Sequence, residues 1–115
     1  MNSSGMCVKL FSDVDDMTWY EAEVFCISEG GRIVVIDTMD KYNFIMSQLS
    51  LIGETNWWVG AQKVDSVWTW STGEPLSSDL YVLNNQPEYA FCLGFYLNGL
   101  DDHDCNWKEK TICEK

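Results

Sequence analysis

Five cysteines, at positions 7, 26, 92, 105 and 113, and a single histidine, His103, are the side chains of this 115-residue sequence with the widest chemical range. Thiolates and imidazoles hold zinc when they come as CxxC pairs and closely spaced histidines. Neither spacing occurs here, so no zinc site is expected. A disulfide framework formed in an oxidising, extracellular compartment suits these cysteines better, and their odd number leaves one over as a thiol or as a link between chains. Catalysis is hard to assemble from the rest. One histidine limits a nucleophile–base pair, and there is neither a Gly-x-Ser-x-Gly elbow nor a glycine-rich phosphate loop. Asp101 and Asp102 are adjacent carboxylates, but neighbours on an extended segment point to opposite sides. That suits metal ligation better than an acid pair working across a cleft. The chain reads as a binding protein, not an enzyme.

Its charge narrows the choice of partner. Eighteen acidic against seven basic residues give a formal net charge of −11. Such a chain repels phosphate backbones and anionic lipid, which excludes nucleic acid as the expected ligand. Carboxylates in clusters attract calcium, although for most of the eighteen the plain role is solubility. No apolar run reaches the length of about eighteen residues that a membrane span needs, so membrane insertion is not expected. Met1 is followed by Asn2-Ser3-Ser4-Gly5, which is neither basic nor apolar, so a secreted form is expected to have lost its leader already.

The elements that must position these groups can be read from periodicity. The length and the 46% apolar content fit one domain over residues 1–115. Thr18 and Glu21 form a capping box for a helix over 18–29, with Trp19, Ala22, Phe25 and Cys26 inward and Gly30-Gly31 as its stop. Ile33 to Ile36 reads as a short buried strand. A second helix is expected over 39–49, with Tyr42, Ile45, Met46 and Leu49 on one side. Strands are expected at 57–61, 67–70, 90–96 and 111–114. Between them, residues 71–89 carry Gly73, Pro75, Ser77, Ser78, Asn84, Asn85 and Pro87, the composition of a long irregular loop. A loop of that length in a small domain points to function. The fold class is α+β.

In order along the chain, these segments resemble the C-type lectin-like family. Trp19 to Cys26 is similar to its first-helix motif, Trp58-Val59-Gly60 to its core strand, and Trp68 to Gly73 to the strand and turn that open its long loop. Cys105 through Ile112-Cys113-Glu114 has the spacing of its last two cysteines. The resemblance implies a fold of two helices flanking small antiparallel sheets, with bridges Cys26–Cys113 and Cys92–Cys105. Cys7 is then left over, as a thiol or as an interchain link in a homodimer.

It also implies a site. Sugar-binding members hold calcium through an X-Pro-X triplet in the long loop and an acidic pair before the following cysteine, and the ion takes two vicinal sugar hydroxyls. Here the triplet is Gln86-Pro87-Glu88, and Leu100-Asp101-Asp102 stands where most relatives have Trp-Asn-Asp. Small tunicate galactose-binding members are similar in this and other segments. The implied calcium ligands, and with them the sugar contacts, are Gln86, Glu88, Asp101 and Asp102, with Pro87 in cis holding its two neighbours on one side. Gln in first place implies galactose or GalNAc. Tyr96, then Tyr89, would be the aromatic platform, and His103 would bond a sugar hydroxyl or tune the carboxylates. Three departures stand out: Glu88 is longer than the usual Asp, Ala90 occupies a position often acidic, and Leu100 replaces tryptophan. Other members of the family bind protein partners without calcium, or acetamido sugars without metal, and these are the alternatives.

Overall fold

A computed structural model describes residues 2–3, 6–53, 56–84, 89–96 and 99–115. The first helix, α1 (Trp19–Ser28), begins where the capping box predicts. The Glu21 N–H donates to the Thr18 hydroxyl (3.2 Å), and the Thr18 N–H donates to the Glu21 carboxylate (2.9 Å). Trp19, Ala22 and Cys26 are buried and Phe25 is half-buried. Gly30 turns the chain away with φ +89°, and at Gly31 a Cβ would collide with the Glu114 carbonyl. The second helix, α2 (Met39–Ile52), is capped by Thr38 and closed by Gly53 at φ +84°. Ile45 and Leu49 face the core, with Tyr42 and Met46 packed beside them.

Nine strands accompany the helices among the described residues: β1 (Asn2–Ser3), β2 (Met6–Phe11), β3 (Arg32–Ile33), β4 (Asn56–Val64), β5 (Val67–Trp70), β6 (Val82–Leu83), β7 (Cys92–Tyr96), β8 (Gly99–His103) and β9 (Lys110–Glu114). They run in the order β1-β2-β9-β4-β7-β8-β6, with β3 on β9 and β5 on β4. Most pairings are antiparallel, as the resemblance implies, and two are parallel. β4 lies parallel to β9 (Trp58 opposite Thr111), and β6 lies parallel to β8 (Leu83 opposite Asp101). Both pairs join strands far apart in the chain, where no tight hairpin dictates an antiparallel return. Ile33 to Ile36 is buried throughout, yet only Ile33 of the four is in β3. The Val34 N–H donates to Ile112 (2.9 Å), and its carbonyl accepts from Gly60 (2.8 Å), so the segment wedges between β9 and β4.

Both expected bridges are formed. Cys26–Cys113 ties α1 to β9, and Cys92–Cys105 ties β7 to the turn after β8. They span 87 and 13 residues, which on the chain-entropy model stabilises by about 4–5 and about 3 kcal/mol. Cys7 lies exposed on β2 and belongs to neither bridge. A buried ion network locks the base of α2 to the last strand. The Lys41 ammonium, fully buried, meets Glu114 (2.6 Å), Asp37 (2.9 Å) and the Val35 carbonyl (2.8 Å). The other Glu114 oxygen accepts from Arg32 (2.9 Å) and the Val35 N–H (2.8 Å).

Candidate functional site

The expected acidic pair lies on β8, the strand that joins the long loop to the core. On one side β8 pairs with β7 (Gly94 opposite Asp101, Leu93 opposite Asp102), and on the other with β6, where the loop returns. Alternation along a strand puts Leu100 and Asp102 on one face, Asp101 and His103 on the other. Leu100 fills the main core in place of the motif tryptophan.

Asp101 and Asp102 are both buried, and they touch. The Asp102 N–H donates to Asp101 Oδ1 (2.9 Å), and the Asp102 carboxyl stands within hydrogen-bonding reach of its neighbour. Burial, first, and that second acid push the Asp101 carboxyl up to about 6, against a smaller opposing pull from His103. No lysine or arginine side chain among the described residues pairs with Asp101. Two buried carboxylates in contact suit a shared cation, and their donor set, all oxygen, suits a hard one. No three His, Cys, Asp or Glu side chains among the described residues converge on a metal position. Calcium at this pair would therefore need the further oxygens of Gln86 and Glu88. Those two residues and Pro87 lie outside the described residues.

His103 is not at the surface. It is buried between Trp58 and Trp107, each ring centroid 5.6 Å away, and packs over Gly94, where any Cβ would strike its Nδ1. Its Nδ1 lies 2.8 and 2.7 Å from the two Glu109 oxygens. Burial raises the Glu109 carboxyl above its ordinary value, and the bond to His103 pulls it back. Tyr96 and Tyr89 are 48% and 59% exposed, so both rings are available as platforms rather than spent on the core. Tyr96, Asp101 and His103 share one pocket with Asn56, Trp107 and Glu109. Sequence reasoning had not singled out those last three. The usable signal was a lone histidine six residues before a glutamate in a segment that also carries a tryptophan.

A family model described as the Lectin C-type domain matches residues 15–115. This chain belongs to the C-type lectin domain family. A human protein, C-type lectin domain family 1 member A, is 24% identical over 106 residues, covering 88% of this chain and 38% of the relative. The domain thus spans well under half the length of that relative. Among solved structures, a C-type lectin from the tunicate Polyandrocarpa misakiensis matches with a TM-score of 0.81 and 26% identity over 96% of this chain and 97% of that one. A calcium-independent type II antifreeze protein has the same fold, with a TM-score of 0.79 and 23% identity over 100% and 89%. These matches establish the α+β C-type lectin fold. Membership identifies a class of binding module whose members include glycan-binding lectins, and the ligand must be argued from the site.

Proposed function

We infer that residues 1–115 act as one extracellular, calcium-dependent lectin domain that binds galactose or GalNAc ends of glycans and catalyses nothing. The observation that carries this reading is the burial of two adjacent carboxylates, Asp101 and Asp102, the first with no lysine or arginine paired to it among the described residues. β6 ends at Leu83, opposite Asp101 and three residues before Gln86 in the chain. Gln86, Glu88, Asp101 and Asp102 would hold the ion, and the ion would take two sugar hydroxyls. Tyr96, with Tyr89 beside the loop, offers the ring face that the apolar side of galactose needs. Exposed Cys7, together with Tyr20, Val24 and Ile27 exposed at helical spacing on α1, supports a homodimer. Two weak sites on one particle would then act with avidity on cell surfaces.

One observation favours a calcium-independent module for protein or acetamido-sugar ligands. Ala90, where many relatives place an acidic ligand, is buried and supplies no side-chain oxygen. Chromatography on immobilised galactose separates the readings. Retention in calcium with release by chelator, unmoved by free mannose, is expected. Flow-through in calcium, or retention that chelator does not release, overturns the calcium–galactose assignment.

A further inference from the structure

The pocket on the Asp101 face of β8 has a chemistry that a calcium–sugar contact does not use. It encloses about 260 Å³ and is lined by Asn56, Tyr96, Asp101, His103, Trp107 and Glu109. Two rings form its walls, Tyr96 at 48% and Trp107 at 41% exposure. The carboxylates of Asp101 and Glu109 and the His103 ring line it from the inside, each more than nine-tenths buried. His103 Nδ1 faces the Glu109 carboxylate, which leaves Nε2 as the other polar atom of the ring. No partner reaches Nε2 among the described residues. No lysine or arginine lines the pocket. The nearby Lys110 is bound to the Val14 carbonyl (2.6 Å) and to Asp16 (3.1 Å).

Aromatic walls and an interior rich in acceptors call for a cation that also donates hydrogen bonds. Ring faces attract an ammonium through their quadrupoles, and carboxylate lone pairs accept its N–H groups. A hydroxyl brings no charge, and an acetamide adds bulk without one. We propose that this pocket is a subsite for a primary ammonium group, and, resting on the glycan-binding reading above, that the group is the unacetylated amine of an amino sugar. Glu109 is its charge partner. Because Glu109 is outside the candidate calcium set, the subsite works without the ion, while Asp101 borders both.

The test titrates n-butylammonium, galactosamine, N-acetylgalactosamine and galactose into the whole protein, in chelator and in calcium. The Trp107 indole N–H and Tyr96 ring signals are followed by NMR. n-Butylammonium and galactosamine should shift both signals in either medium. Galactosamine should bind about ten-fold more tightly than N-acetylgalactosamine. Glu109→Gln should abolish that preference, and Trp107→Ala, at a half-exposed ring, should weaken n-butylammonium, both with unfolding midpoints monitored as a folding control. Equal affinity for the amine and its acetylated form overturns the proposal, as does a preference that survives Glu109→Gln. Shifts by n-butylammonium in chelator alone would reduce the site to an ammonium standing in for calcium, which also overturns it. An Nα-acetyl-lysine methylamide that binds as tightly as galactosamine overturns the amino-sugar assignment. Failure of plain galactose in calcium, with n-butylammonium still bound, strikes the glycan reading alone.

Discussion

Asp101→Asn separates the cost of the acid pair from its use. In the calcium-free protein Asp101 holds its proton up to about pH 6, against an ordinary 3.8. A carboxyl whose folded pKa is raised stabilises the fold below its unfolded pKa, and that stabilisation is lost as pH rises from about 4 through about 6. The full rise corresponds to about 3 kcal/mol, and solvent screening at the open side of the pocket reduces the expected effect to about 1–2 kcal/mol. Asn keeps the oxygen that accepts the Asp102 N–H and turns its amide toward the Asp102 carboxyl as a donor. In chelator near neutral pH the variant should therefore melt about 4–8 °C higher than the parent. The gap should close as the pH falls toward 4. Calcium should stabilise the parent more than the variant, since one ligand charge is gone. Thermal unfolding by circular dichroism across pH, with and without calcium, reads all three. A variant no more stable than the parent in chelator at neutral pH refutes the idea that Asp101 lacks a compensating cation.

Other consequences follow from the same structure. Lys41→Ala leaves Glu114 buried with only Arg32 and one N–H, and should cost about 3–5 kcal/mol by denaturant unfolding. Lys41→Met with Glu114→Leu should recover part of that loss; no recovery would show that the network does more than satisfy its own charges. Replacing Cys26 and Cys113 by Ala should destabilise more than replacing Cys92 and Cys105, since 87 residues are closed against 13. Asp102→Ala should abolish calcium-dependent galactose retention while the two bridges still form, checked by thiol titration. Tyr96→Ala should weaken galactose by about ten-fold with calcium affinity unchanged, on the scale of a lost ring contact; a parallel fall in calcium affinity would assign Tyr96 to the ion site instead.

Much of the frame was legible because its signals are local. Thr18 and Glu21 announce α1, and Val67 to Trp70 is a strand in sequence and in structure alike, whereas α2 runs on past the expected Leu49 to Ile52. The bridges followed from family resemblance rather than from spacing. β8 was missed as a strand because Gly99-Leu100-Asp101-Asp102-His103 has little strand propensity; tertiary pairing with β7 and β6 imposes the conformation. β2 was missed for a similar reason, since Val8 to Phe11 pairs with β9 at the other end of the chain and Met6 and Cys7 with β1. The inward His103 was illegible for want of its partner. Its burial depends on Glu109, six residues on, and on the space above Gly94, neither of which periodicity reveals.

The most direct measurement is a calorimetric titration of galactose into chelator-stripped protein, with and without millimolar calcium. Heat that appears only with calcium is the predicted result, and it would support a sugar held through an ion at Gln86, Glu88, Asp101 and Asp102. Equal heat in both conditions, or none in either, would contradict a calcium-dependent galactose site.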